Sequence, residues 1–373
     1  MPGPSSFTGE DQAELHLHGS MAVKAAMLRA LSAEAGLRAA EPGEFTRRAF
    51  LSGRMDLSAV EGLADLIDAE TEAQRRQALR QLEGALAAKV AEWRDGLIEA
   101  SSLVEAGLDF SDQEDVSATT TAEAREIAAC ILREMEGELH RAASGERVRD
   151  GFVVVLAGPP NAGKSTLLNA IARREVAIVS PHAGTTRDAL EVRCDLGGAA
   201  VTFIDTAGLR ETADPVERQG VARTLERAAA ADLVLWLSPA GEEAGPAPSL
   251  VGGPATVRVV TKCDLGSEGH EGGLAVSAVT GAGMPALLEA VRGAAEGGLA
   301  GAGDALVTRE RQRLALQDAA DALGRAASAE LAGQDELIAE DLRLALRALG
   351  RITGHVDVEA ILDRIFAQFC VGK

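Results

Sequence analysis

Gly158-Pro159-Pro160-Asn161-Ala162-Gly163-Lys164-Ser165 decides the fold, because it satisfies G-x-x-x-x-G-K-[ST] at the junction of an expected strand and an expected helix. Upstream, Phe152 to Leu156 is a buried-strand pattern of mostly β-branched residues; downstream, Ser165 to Ala172 carries leucines at helical spacing. In that context the glycines let backbone N–H groups converge on phosphate oxygens, and the helix N-terminus adds the positive end of its dipole. Lys164 then reaches the β/γ-phosphates and Ser165 ligates Mg²⁺. A chance glycine-rich turn would lack both flanks.

The phosphate motif alone does not separate GTP from ATP, but the rest of a guanine-nucleotide site follows in order. Gly184-Thr185-Thr186-Arg187-Asp188 offers a second hydroxyl for Mg²⁺, with Thr186 the candidate. The strand Val201 to Ile204 runs into Asp205-Thr206-Ala207-Gly208, where a carboxylate holds Mg²⁺ through water and a glycine N–H senses the γ-phosphate. The strand Val257 to Val260 ends in Thr261-Lys262-Cys263-Asp264. Asp264 accepts two hydrogen bonds from guanine N1 and N2, and the Lys262 stem covers the ring. Adenine cannot donate that pair, and a buried polar partner rejects the analogue lacking it by roughly 10⁴-fold. Ser277-Ala278-Val279, after the strand Leu274 to Val276, offers N–H to guanine O6. Many GTPases carry Asn where this chain has Thr261; threonine keeps a hydroxyl donor, so somewhat weaker binding with unchanged specificity is expected.

The hydrolytic apparatus departs from that of Ras-like proteins, where a glutamine orients the attacking water and an arginine supplies charge. Leu209 stands at the glutamine position. Asn161 resembles the residue that, in one GTPase subgroup, ligates a potassium ion lying where the arginine would sit. The loop Ser180-Pro181-His182-Ala183-Gly184-Thr185 would complete its coordination through Ser180, the His182 carbonyl and Thr185.

Three further segments carry a family resemblance that spans essentially the whole chain. Leu209 to Arg218, Pro42-Gly43-Glu44-Phe45-Thr46-Arg47-Arg48-Ala49-Phe50-Leu51 and Phe369-Cys370-Val371-Gly372-Lys373 resemble the MnmE (TrmE) family of tRNA-modification GTPases. The resemblance implies that Glu217 positions the water and that Arg210 and Arg187 support the switches. On its own, Glu217 is an ordinary charged loop residue. The resemblance further implies a homodimer binding a tetrahydrofolate derivative (5,10-methylene or 5-formyl) through Glu14, Arg54 and Lys373, with lysine more usual at position 54. Cys370 would lie near that pocket as a catalytic thiol or as packing. The implied partner is an MnmG (GidA) flavoprotein carrying FAD and NADH, in a heterotetramer that builds carboxymethylaminomethyl on C5 of the wobble uridine. The opening residues resemble an internal segment of the family's N-terminal domain, so roughly half a domain is expected to precede them. A ribosome-assembly switch of the Era or Der type is the alternative; it shares the nucleotide motifs but not the Pro42 to Leu51 or terminal segments. A fragment whose nucleotide domain folds alone is a third reading.

Composition sets outer bounds. A length of 373 residues suggests two or three domains. No apolar run reaches about 18 residues without a charge and no secretory signal heads the chain, so a soluble cytoplasmic protein is expected. Cys130, Cys194, Cys263 and Cys370 lack metal or disulfide spacing. A formal charge of −20 opposes wrapping of nucleic acid by this chain alone, so tRNA would be held mainly by the partner. Arg75, Arg76 and Arg80 could touch RNA but sit beside Glu72 and Glu83 on an expected helix.

The expected architecture is an α/β P-loop GTPase domain (149–298) inserted in an all-α helical domain (53–148 and 299–373), preceded by a partial α+β N-terminal domain (1–52). A strand is expected at Glu14 to His18, with His16 and His18 on one face. A helix is expected near Met21 to Ala35, and helical spacing runs from Leu57 to Ala142 with a break at Asp109 to Asp112. A Gly/Ala-rich hinge is expected at Gly293 to Asp304, followed by helices over Asp335 to Leu349 and Asp357 to Phe369.

Overall fold

The computed structural model describes residues 1–109, 114–159, 161–174, 176–178, 191–205, 231–241, 254–266, 273–299, 301–328, 334–356 and 365–366, with backbone alone at 109 and 114–118. They gather into two compact units. One comprises Met1–Asp68, Ala78–His140 and Arg309–Lys373; the other comprises Ala69–Gln77 and Arg141–Thr308.

The first unit is helical. In chain order its helices are α1 (Met21–Ser32), α2 (Glu44–Leu51), α3 (Leu57–Asp68), α4 (Glu72–Leu82), α5 (Ala85–Asp109) and α6 (Glu114–Asp150), with the first residues of α4 and the last of α6 counted in the other unit. Asp56 starts α3 by accepting the Ser58 and Ala59 N–H groups at 2.7 and 3.1 Å, satisfying donors that an uncapped end leaves open. The helical spacing of Leu79, Leu82, Leu86, Val90, Trp93 and Leu97 reads as one stripe, but it is broken at the left-handed Gly84: Leu79 and Leu82 belong to α4, while Leu86, Val90, Trp93 and Leu97 are buried along α5, as are Ile131 and Met135 of α6. The Trp93 indole N–H donates to Glu134 at 2.9 Å, so the one polar atom of that large side chain is satisfied. Arg75 and Arg76 both pair with Glu72.

One expected element does not form. Residues Glu14 to His18 make no strand and are exposed, because among the described residues none pairs with their backbone, and a strand exists only where a neighbour takes its N–H and C=O groups.

Among the described residues, the second unit carries a six-stranded sheet. Its strands are β1 (Phe152–Ala157), β2 (Glu191–Leu196), β3 (Ala199–Asp205), β4 (Leu233–Pro239), β5 (Ala255–Thr261) and β6 (Leu274–Ala275). They lie in the order β2-β3-β1-β4-β5-β6, all parallel except the β2–β3 hairpin. Helices α7 (Lys164–Ala172) and α8 (Met284–Gly298) bury Leu167, Ile171, Leu287 and Val291 in one core with Val154, Leu156, Phe203 and Leu235. The Gly/Ala-rich hinge expected at Gly293 to Asp304 is largely helix: α8 runs to Gly298 because buried Val291 and Ala295 outweigh the glycines. Only a short 3₁₀ turn, Ala302–Asp304, follows.

Past Thr308 come α9 (Glu310–Ala327) and α10 (Asp335–Thr353) of the helical unit. Glu61 of α3, almost wholly buried, accepts a bidentate pair from Arg311 at 3.1 and 2.8 Å and a third bond from Gln312 at 2.8 Å. Arg311 also donates to the Arg351 and Ile352 carbonyls at the end of α10, and Arg309 donates to Asp65 at 2.6 Å. Phe366 packs with Leu57, Val60 and Ile365 in a smaller cluster. Its carbonyl comes so close to the left-handed Gly43 that a Cβ there would lie 2.7 Å from it, which explains the glycine of the Pro42-Gly43 turn.

Candidate nucleotide-binding site

The site residues stand at the carboxyl ends of parallel strands, where an open α/β sheet presents its loops to ligands. β1 ends at Ala157 and the chain turns at Gly158, whose φ is 146°. A Cβ there would lie 2.3 Å from the Leu237 carbonyl oxygen, so the phosphate loop passes β4 at a distance only glycine permits. Asn161 and Gly163 are both left-handed, at φ 63° and 89°, and Lys164 opens α7. Asparagine tolerates that conformation better than most residues with a Cβ.

Lys164 is buried and donates to the Gly158 and Pro159 carbonyls, both at 2.9 Å. The ammonium thus lies on the lip of its own loop, within reach of whatever enters. Ser165 Oγ donates to the Asp205 carboxylate, joining the start of α7 to the end of β3. Asp205 is 1% exposed, so a buried carboxylate and a hydroxyl stand side by side. Such hard oxygen donors suit Mg²⁺, which keeps several waters and uses one or two protein groups plus phosphate.

Thr261 closes the other side. Its hydroxyl lies 2.7 Å from the Ala162 carbonyl and 3.3 Å from that of Ser238, so the end of β5 is bound to the phosphate loop and to β4. Lys262 follows with φ 59°, and Asp264 is exposed. Beyond β6, Val276 continues the pairing by donating to Val260, and the Ser277 hydroxyl accepts the Thr280 N–H at 3.1 Å. Ser277 is fully buried, Ala278 is half-buried and Val279 is 80% exposed. The Cys263 N–H donates to the Val276 carbonyl, which holds the loops after β5 and β6 together.

Structure therefore brings Ala162, Gly163, Lys164, Ser165, Asp205 and Thr261 into one constellation, with Asn161 and Thr166 exposed at its edge. Lys262, Asp264, Ser277, Ala278 and Val279 form the adjoining loops. Ser180 through Arg187, Thr206 through Gly208, Arg210, Glu217, Cys370 and Lys373 lie outside the described residues. Sequence reasoning missed the Ser238 and Leu237 carbonyls of β4. Backbone acceptors leave no trace in residue identity. Burial pushes the Cys194 thiol of β2 up to about 12, which makes it core and not a nucleophile.

In the N-terminal segment, Glu14 and Arg54 are both exposed, and Glu14 faces His16 at 3.8 Å. Nearby, Glu44 takes a bidentate bond from Arg38, both contacts at 2.8 Å, with the Glu41 N–H and Arg48 completing its shell. Those donors, Arg38 foremost, hold its carboxyl down at about 2.

A glycine-turned loop from β1 into α7, with an invading lysine and a serine–aspartate pair, defines a P-loop nucleotide-binding protein. The comparisons narrow this. The MnmE helical domain matches residues 57–370 and the N-terminus of the GTP-binding protein TrmE matches residues 1–54. The chain is 59% identical over 379 residues to a tRNA modification GTPase MnmE of Methylobacterium sp. (strain 4-46), covering 100% of this chain and 85% of that protein. Proteins of the same name from Methylorubrum populi and Bradyrhizobium sp. (strain ORS 278) are 59% and 53% identical, each over 100% of this chain and over 84% and 85% of their own lengths. The chain belongs to the MnmE family of tRNA modification GTPases. A solved G domain of the T. maritima FeoB iron transporter is 25% identical and covers 39% of this chain and 98% of its own, but at a TM-score of 0.26 the likeness carries no argument.

Proposed function

We propose that this chain hydrolyses GTP to drive modification of the tRNA wobble uridine, with an MnmG-type flavoprotein supplying FAD and NADH. The observation that carries the reading is the clamp in which Lys164, the Ser165–Asp205 pair and the Thr261 hydroxyl converge on one phosphate loop. Bound Mg²⁺ would neutralise charge between the β- and γ-phosphates, held by Ser165, Asp205 and Thr186. Lys164 would leave its two carbonyls for the phosphate oxygens, and Asp264 would accept guanine N1–H and N2–H. Glu217 orients the water, with Arg210 and Arg187 supporting the switches. Asn161, Ser180, Thr185 and the His182 carbonyl would hold K⁺, which would supply the positive charge otherwise given by an arginine. The exposed, left-handed Asn161 at the edge of the loop supports this.

In this reading the carbon chemistry lies elsewhere: a tetrahydrofolate derivative at Glu14, Arg54 and Lys373 of a homodimer, with Cys370 nearby, and tRNA held chiefly by the partner in the cytoplasm. The nucleotide domain, 149–298, interrupts the helical one, so hydrolysis would be felt by the helices that flank it in sequence. The test is the GTPase rate in K⁺ against Na⁺ at equal ionic strength, for the chain and for Asn161→Ala. Selective activation by K⁺, falling at least about tenfold in the variant, is expected. Equal rates in both ions would remove the potassium mechanism.

A further inference from the structure

The loop that follows β6 spends most of its backbone donors on itself. The Ser277 N–H donates to the Ala282 carbonyl and the Gly281 N–H to the Ser277 carbonyl, both at 2.9 Å. The Thr280 N–H goes to the Ser277 hydroxyl at 3.1 Å, and the Ala282 N–H to the Thr280 hydroxyl at 3.3 Å. Among the described residues nothing accepts the N–H of Ala278 or Val279. Two successive N–H groups left over on a closed turn gather an electronegative oxygen. The internal bonds set the shape of that turn, but they do not set its position relative to α7.

An arginine just past α7 makes that connection. The Arg174 N–H donates to the Ile171 carbonyl, and the Arg174 carbonyl accepts the Ala177 N–H, both at 3.0 Å. Ala177 in turn pairs with Cys194 of β2, so the root of the side chain is anchored on the sheet. Arg174 is half-buried, and its Nη2 lies against Gly281, where a Cβ would stand 3.7 Å from it. Gly281 is left-handed at φ 80°, and its carbonyl accepts the Met284 N–H at the start of α8. Among the described residues no carboxylate pairs with the guanidinium. A rigid, planar cation thus rests against the backbone of the turn instead of an acid.

We propose that Arg174 is a positioning residue for guanine recognition: its guanidinium, seated against Gly281, holds the Ser277–Gly281 turn where the Ala278 and Val279 N–H groups meet O6 of the base. The inference rests on the reading of Ser277 to Val279 as the donor to O6, and adds the residue that fixes where that donor stands.

Competition binding of GDP and 6-thio-GDP to the whole chain at neutral pH tests it. The analogue keeps the N1–H and N2–H that Asp264 would accept and replaces only O6, by sulfur, a weak acceptor. The parent is expected to prefer GDP. Arg174→Met keeps a long apolar stem without the guanidinium. It is expected to bind GDP about fivefold to tenfold more weakly, but 6-thio-GDP within about twofold of the parent, so that the preference collapses. In GTP turnover the same loss appears in KM with kcat unchanged. Equal losses for both ligands mean that Arg174 only supports the fold, and no loss for either means that the turn stands without it. Each of these overturns the inference and leaves the O6 reading in place. A parent that binds GDP and 6-thio-GDP alike sinks the O6 reading, and the inference with it.

Discussion

Thr261 ends β5 with one hydroxyl bound to the phosphate loop and to β4, and its worth can be measured. Removing it leaves the Ala162 carbonyl short of a donor inside the loop that grips phosphate, a loss of about 1–3 kcal/mol for a buried acceptor. Thr261→Ala is expected to weaken GDP binding by roughly tenfold in a fluorescent-nucleotide titration, while Thr261→Ser, which keeps the hydroxyl, stays within a few-fold. Preference for GDP over ADP should persist in both, because Asp264 is untouched. Glu44 gives a second residue-scale prediction, with the sign worked from its depressed pKa. Its ion pairs with Arg38 and Arg48 are fully present above the ordinary carboxylate range and are lost only as pH falls through about 2. Carboxyl NMR should therefore find Glu44 still ionised at pH 3, where most surface carboxylates are largely protonated; a midpoint near 4.5 would refute the assigned shell. The residue identities of the site were legible in sequence because each motif is a short run whose chemistry does not depend on what faces it. The Thr261 bond was foreseeable only as a hydroxyl without a named acceptor.

Among elements, the helices were read well where an apolar stripe is long, as in α5 and α10, since burial of that stripe is what stabilises them. β4 shows the opposite case. Leu233 to Leu237 is as apolar as β1 but ends in no motif, so a reading led by motifs passes over it although it lies at the middle of the sheet. The Glu14 to His18 segment and the α8 end fail for a shared reason: strand and helix limits follow from neighbours, and composition alone lists none. At the same scale, the Glu61 cluster joins α3, α9 and the end of α10. Glu61→Gln leaves Arg311 without its buried counter-charge, and loss of one partner from such a pair costs about 3–5 kcal/mol. Urea unfolding followed by helical circular dichroism should show a lowered midpoint for the helical transition with little change in slope. An unchanged midpoint would mean that the pair is structurally idle.

At the scale of the whole molecule, charge makes the clearest prediction. With a formal net charge of −20, the chain alone should retain tRNA only weakly, with a dissociation constant above about 10 µM near physiological salt. Filter binding across a salt series checks this; tight binding with a steep salt slope would expose a basic surface that the charge balance hides. Sequence by itself determined the order of the nucleotide motifs, the alternation of helical and α/β stretches and the family, because local chemistry and periodicity survive in one dimension. Tertiary structure alone decided that Thr261 reaches Ala162 across 99 residues and that Arg311 reaches Glu61 across 250. Those bonds depend on which carbonyl or carboxylate the fold brings within about 3 Å, and that distance follows from packing of the intervening chain.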